Sequence, residues 1–245
     1  MFGSVSTPAN HDEHEPVPRP PGFAAQVVAV LAKDLTIEVR TREIVTTSGF
    51  FGVLVSLMAS VAYATGTSTT SRVAPGTIWL AVAFASVLAL GRTWQRERED
   101  AAFVGMLTAP VSRPALFLGK ALGVLAFVLT IECVIVPVVA LVFHVDLTQF
   151  GPAIALLLLL GTVGVAAAGT LFGAMTVRTR ARDLVLASVL FPLLSPTLIS
   201  GVAATREVLA GAPLSELRDY AVLLLAFDAI AIAGGLAMFG ALVDD

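Results

Sequence analysis

Six stretches of this chain, near 44–64, 75–94, 116–143, 151–177, 183–204 and 220–243, are apolar over about the 20 residues that a helix needs to cross a 30 Å hydrocarbon core. Nothing else in the sequence restricts the fold as strongly. Apolar residues make up 57% of the chain and charged residues only 13%, against about 25% charged in a soluble domain, so no single water-exposed core can hide this much apolar surface. In lipid, every backbone polar group must be satisfied inside its own segment or within a closed barrel. The fold class that follows is all-α: a polytopic membrane protein with six transmembrane helices.

The second run is the shortest. Its strictly apolar part, Thr77 to Gly91, spans about 22 Å as a helix. Trp79 and Trp94 lie near its ends, where indoles favour the two membrane interfaces, and they extend it to a full span. The third and fourth runs are long, and Pro137 and the stretch "GTVGVAAAGTLFG" predict bends or close helix packing. Gly119 and Gly123 repeat at four-residue spacing, and Gly161, Gly164, Gly169 and Gly173 form a small-residue surface, with Gly169 and Gly173 as a true G-x-x-x-G. Pro192 and Pro196 predict a kink in the fifth span, with Pro192 a candidate hinge. The single cysteine, Cys133, lies inside an apolar run and offers neither a disulfide framework nor a thiolate metal site.

Orientation depends on where Lys and Arg lie rather than on the net charge of −3. Lys33, Arg40 and Arg42 precede the first span. Arg92, Arg96, Arg98, Arg113 and Lys120 lie around the connection from the second to the third, and Arg178, Arg180 and Arg182 between the fourth and fifth. The opposite side has Arg72, Arg206 and Arg218. The expectation is a multi-pass protein of the plasma (inner) membrane with both termini in the cytoplasm. Residues 1–22, proline-rich and polar, read as a disordered cytoplasmic tail ahead of a transmembrane domain over 23–245. Within that domain, 23–43 predicts an amphipathic helix lying in the membrane interface on an apolar row of Val27, Leu31, Leu35 and Val39, with Lys33, Asp34, Glu38 and Arg40 elsewhere around it. The partners expected of such a chain are the lipid bilayer and other proteins, not nucleic acid.

Between the second and third spans the chain reads "RTWQREREDAAFVGMLTAPVSRP". Arg96, Glu97, Arg98, Glu99 and Asp100 alternate in sign. Asp100 can cap a short helix whose Phe103, Met106 and Leu107 share a face, and Pro110 and Pro114 close it. A cytoplasmic loop over 92–115 of this kind, held between two membrane helices, suits docking into a groove on another protein.

These residues carry a resemblance. "RTWQREREDAAFVGMLTAPVSRPALFLGK" resembles the cytoplasmic loop of the cytochrome c maturation protein B family through Glu97–Glu99, Leu107–Val111 with Thr108 inserted, and Leu118–Lys120. "KDLTIEVRTREIV" and the block from Leu156 to Thr205, with its Gly-Thr-Val-Gly, Gly-Thr-Leu-Phe, Arg-Ala-Arg and Phe-Pro-Leu-Leu elements, resemble the same family in the same order. The resemblance implies the membrane domain of an ABC-2-type exporter, paired as a homodimer with two ATPase subunits. It further implies haem as the cargo of cytochrome c biogenesis, and a haem-handling membrane protein and a haem chaperone as further partners. On this reading the permease couples ATP hydrolysis on the partner to haem transfer or to release of the haem-loaded chaperone. Residues 92–115 become the coupling element, with Arg96, Glu97, Arg98, Glu99, Asp100, Phe103 and Leu107 its contacts. The alternative is an ABC-2-type exporter of a lipid, polysaccharide or drug. The sequence contains no G-x-x-x-x-G-K-[ST] phosphate loop, so ATP belongs to another chain and this one is not expected to be an enzyme.

Two acids fall within spans. Glu132 lies about 24 Å into the third and Asp228 about 12 Å into the sixth. Ionisable groups at such depth are functional candidates, and both are expected in the outer half of the membrane, lining a shared cavity. Axial haem ligation would need His, Met, Cys or Tyr facing one pocket. His11, His14, His144 and the methionines are scattered, so this chain is expected to hold no cofactor of its own.

Overall fold

The computed structural model describes residues 21–63, 70–99, 105, 109–176 and 182–244. Seven helices and one short 3-10 turn account for these residues, with no strand among them. They are α1 (Phe23–Thr41), α2 (Glu43–Ala62), α3 (Thr70–Glu99), α4 (Arg113–Phe143), α5 (Leu147–Thr176), α6 (Arg182–Leu209), the turn Leu214–Leu217, and α7 (Arg218–Asp244). Six, α2 to α7, are long and apolar enough to cross a membrane. The second span, weakest by sequence, runs through Arg72–Arg98 at 27 residues.

Length places the polar ends. At 1.5 Å per residue the 31 residues of α4 reach about 46 Å, well beyond a hydrocarbon core of about 30 Å. The charged end of α3 and the first turns of α4 lie together at one end of the bundle, where Lys120 meets Glu97. The expected loop over 92–115 is corrected here: Arg92–Glu99 continues the helix of the second span, because no glycine or proline interrupts that stretch.

The connections follow local chemistry. Only His144, Val145 and Asp146 separate α4 from α5. His144 adopts a left-handed conformation (φ 56°), and Asp146 caps α5 by accepting hydrogen bonds from the Thr148 hydroxyl (2.6 Å) and amide (2.8 Å) and the Gln149 amide (3.4 Å). These bonds, the Thr148 hydroxyl first, hold the Asp146 carboxyl below the usual carboxylate range. The helix of α6 runs unbroken through Pro192 and Pro196 and on to Leu209, beyond the 204 expected.

α3 and α5 form the centre of the bundle, with 67% and 72% of their most apolar windows buried, against 28% for both α2 and α7. They run in the same direction, with large side chains of α3 seated on glycines of α5. Trp79 covers Gly161, Leu90 covers Gly169 and Trp94 covers Gly173. The tryptophan expectation is corrected accordingly: both indoles are buried inside the bundle rather than presented to the interface. Trp79 also covers Gly201 of α6 and donates its Nε1 hydrogen to the Thr205 hydroxyl (2.9 Å). A buried indole needs both a partner for its N–H and room for its rings, and the glycines supply the room. Gly164 plays the same part for Phe227 and Asp228 of α7, and Gly235 of α7 for Phe117 of α4.

Candidate functional site

α1 carries the first departure from simple amphipathic reasoning. Its buried face is Gln26, Val27, Val30, Asp34 and Glu38, whereas Val28 and Val39 are exposed and Leu31 and Leu35 only half-buried. The stripe expected at Val27, Leu31, Leu35 and Val39 is thus rotated by about one residue, and the acids point inward. α1 lies along the first half of α4: Gln26 accepts from the Ser112 amide (2.8 Å), Val30 sits over Gly119, and Asp34 over Gly123. Gly119 and Gly123 are therefore the seat of α1.

What draws the acids inward is a charge cluster at the polar end of the bundle. Lys120 of α4 is 1% exposed, Glu97 of α3 3% and Asp34 of α1 6%. The Lys120 ammonium donates to Asp34 Oδ1 (3.0 Å) and Oδ2 (2.8 Å), and to Glu97 Oε1. Lys33, about one-third exposed, donates to the same Glu97 oxygen (2.8 Å) and pairs with Asp34 (2.9 Å). Burial works against the Lys33 charge, but Asp34 and Glu97 outweigh it and hold its pKa above the usual lysine value. Two ammoniums and two carboxylates thus balance, as buried charge must.

A second group extends the first. Arg96 of α3 pairs with Glu38 (3.3 Å) and Glu43 (3.4 Å) and donates to the Thr41 hydroxyl (3.0 Å), and Arg92 reaches Glu43 (3.6 Å). Glu38 Oε1 also accepts from the Val45 amide (2.9 Å), capping α2 across the single joint residue Arg42, which is left-handed at φ 53°. Ends of α1, α2, α3 and α4 thereby meet in a network of two ionic clusters, linked through the neighbouring residues Arg96 and Glu97 of α3.

The expected coupling residues divide around this network. Arg96 and Glu97 belong to it, with Glu97 buried and Arg96 partly exposed. Arg98 is half-exposed on the last turn of α3. Glu99 ends that helix, and its side chain, together with Asp100, Phe103 and Leu107, lies outside the described residues. Sequence reasoning used Lys33 and Lys120 for orientation and as parts of the family resemblance, and missed that they pair with Asp34 and Glu97 and that Glu38 pairs with Arg96. The available signal was the four-residue spacing of Gln26, Val30, Asp34 and Glu38, together with a lone lysine inside an apolar run.

The intramembrane acids are both buried, against opposite sides of the same turn of α5. Glu132 accepts from the Thr162 hydroxyl, and Asp228 lies over Gly164. Residues 162 and 164 point about 200° apart on one helix, so the acids reach α5 from opposite flanks, and the helix stands between them where one shared cavity was expected. Open clefts of about 410, 330 and 500 Å³ lie elsewhere, and neither acid lines them. His144 is exposed at the end of α4, and Met58, Met175 and Met238 lie on three different helices, exposed to different degrees.

Comparison with known proteins agrees with this architecture. The chain is 30% identical over 198 residues to the heme exporter protein B of Bradyrhizobium diazoefficiens, covering 80% of this chain and 87% of that protein. It is 35% identical over 170 residues to the heme exporter protein B of Paracoccus denitrificans, covering 66% and 75%. Against the same-named protein of Pseudomonas aeruginosa it is 29% identical over 191 residues, covering 76% and 85%. The model of the CcmB protein family matches residues 25–242, so it spans every helix described above, and the chain is a six-span membrane protein that belongs to the CcmB family.

Proposed function

We propose that this chain is the membrane subunit of an ATP-driven haem exporter serving c-type cytochrome assembly. Haem as cargo is supported by the relatives' shared name. The chain sits in the plasma (inner) membrane with its polar end and both termini in the cytoplasm, as the Lys and Arg distribution favours. ATP is hydrolysed on a separate ATPase partner, since no phosphate loop occurs in this sequence. The complex holds two copies of each, together with a haem-handling membrane protein and the haem chaperone that it loads or releases.

The observation that carries this reading is the ionic network at the foot of residues 100–112. That segment joins α3 to α4, and the two helices are bonded to each other through Glu97 and Lys120. A push on the segment is thereby passed to every helix that the network joins. In this role Glu99, Asp100, Phe103 and Leu107 contact the ATPase, while Arg96 and Glu97 pass the displacement inward.

Two experiments test the reading. In a strain lacking its own copy, expressing the chain with its ATPase partner restores haem-stained c-type cytochromes, whereas Glu99→Lys with Asp100→Lys leaves the chain in the membrane but loses both the ATPase and the cytochromes. Full cytochrome yield without the chain would end the haem reading, and an ATPase still bound to the reversed variant would end the docking assignment. Glu132 and Asp228 are assigned to the same function. Replacing both with amides is expected to lower cytochrome yield at unchanged chain level, and a wild-type yield would remove them from it.

A further inference from the structure

We propose that Lys33, Asp34, Glu97 and Lys120 form an ion-pair switch that exchanges partners as the helices move, so that they position α1 and α3 for coupling besides holding the fold. The proposal rests on the exporter reading above. Its basis is the redundancy of the contacts. Asp34 contacts both ammoniums, at 2.9 Å to Lys33 and 2.8 Å to Lys120. Glu97 also contacts both, through the single oxygen Oε1, and its other oxygen is buried without a hydrogen-bond partner among the described residues. Each of the four groups therefore has two partners of opposite sign.

A lone buried ion pair resists motion, because separating it strands two charges in a medium that cannot solvate them. A closed ring of four behaves differently. If α3 shifts against α4, Glu97 can release Lys120 and keep Lys33, while Lys120 keeps Asp34. If α1 shifts, Asp34 can hold either lysine. Every such state leaves each charge paired, which is the requirement for two discrete arrangements of comparable energy. Lys33 suits the exchange because its side chain reaches water and its stem is long and flexible. The joint at Arg42 lies four residues beyond Glu38, so a shift of α1 is passed to α2 through one backbone residue and the Glu38 cap.

Removing the exchange while keeping the fold tests this. In the triple variant Asp34→Leu, Glu97→Leu, Lys120→Met no buried charge is stranded, and apolar replacement of a buried ionic triad is commonly neutral or stabilising. In a second variant, Asp34→Lys with Lys120→Asp, the net charge stays zero. The 34–120 and 33–97 pairs survive, while the 33–34 and 97–120 contacts become like-charged. Both variants, in the intact complex with the ATPase, are read as c-type cytochrome formed per ATP hydrolysed.

The expected result is a complex that assembles and hydrolyses ATP but loses about five-fold or more of that ratio, the lower end of a typical coupling factor. A wild-type ratio in either variant overturns the proposal, because the charges then do no more than hold the helices. Failure of both variants to assemble overturns it too, since the cluster would then be needed only for folding. A wild-type complex in which ATP hydrolysis forms no cytochrome would instead defeat the exporter reading on which the switch rests.

Discussion

Lys120→Met is expected to be among the most damaging single substitutions outside the glycine seats. The methionine fills nearly the same volume, so packing is conserved and the effect isolates the charge. Asp34 and Glu97 are then left 6% and 3% exposed, with Lys33 as the one ammonium for two carboxylates. Breaking a buried ion pair by removing one partner typically costs about 3–5 kcal/mol. Lys33→Met, at a side chain about one-third exposed, is expected to lose much less, about 1 kcal/mol or below. Adding Asp34→Leu to Lys120→Met should recover much of the loss, because Lys33 and Glu97 then remain as a balanced pair. The measurement is the thermal midpoint of the detergent-purified chain, with its membrane level alongside. Equal effects of Lys120→Met and Lys33→Met would show that the buried lysine is not the centre of the network.

The second large effect is expected under Trp79. A Cβ added at Gly201 would lie 2.4 Å from the indole Cζ2, and one at Gly161 would lie 2.6 Å from Cη2. Gly161 and Gly201 belong to different helices, and the Trp79 N–H is tied to Thr205 of α6, so the ring has little freedom to retreat from either. Gly161→Ala and Gly201→Ala are therefore each expected to destabilise by about 1–3 kcal/mol through overpacking, despite the higher helix propensity of alanine. Trp79→Phe should suppress Gly201→Ala, since the smaller ring vacates the contact, although it also leaves the Thr205 hydroxyl without its donor. Thermal midpoints of the two single variants and the double variant form a cycle, and strictly additive losses would show that Trp79 and Gly201 do not share a contact. In lipid this packing matters more than in water, because apolar burial gives helices little reason to associate.

The spans were legible for a direct reason. Roughly twenty uninterrupted apolar residues have no stable place except across a bilayer, and that holds whatever the helices touch. The glycines at 161, 164, 169 and 173 were legible as packing positions, but their partners were not. Nothing in "GTVGVAAAGTLFG" says that Trp79, Leu90, Asp228 and Trp94 will fill the space. Similarly, Trp79 and Trp94 have the spacing of interfacial anchors, and only the presence of glycine opposite each turns them inward. Arg96 and Glu97 looked like surface charge because a mixed-charge run is usually solvated, and their true partners lie 53 to 64 residues away or on α4.

The amino-acid order by itself determined the six crossings, the polar end at which charge gathers and the family to which the chain belongs. These are written in local composition and short spacing, which a linear chain displays openly. The tertiary structure alone decided which way α1 faces and which charges cancel. In lipid and at its edge a carboxylate turns towards whichever cation is near, and an apolar side chain gains as much from lipid as from protein. The buried face of α1 is therefore fixed by Lys120 and Arg96 on other helices as well as by Val27 and Val30, and the apolar stripe read from the sequence lies about one residue away from it.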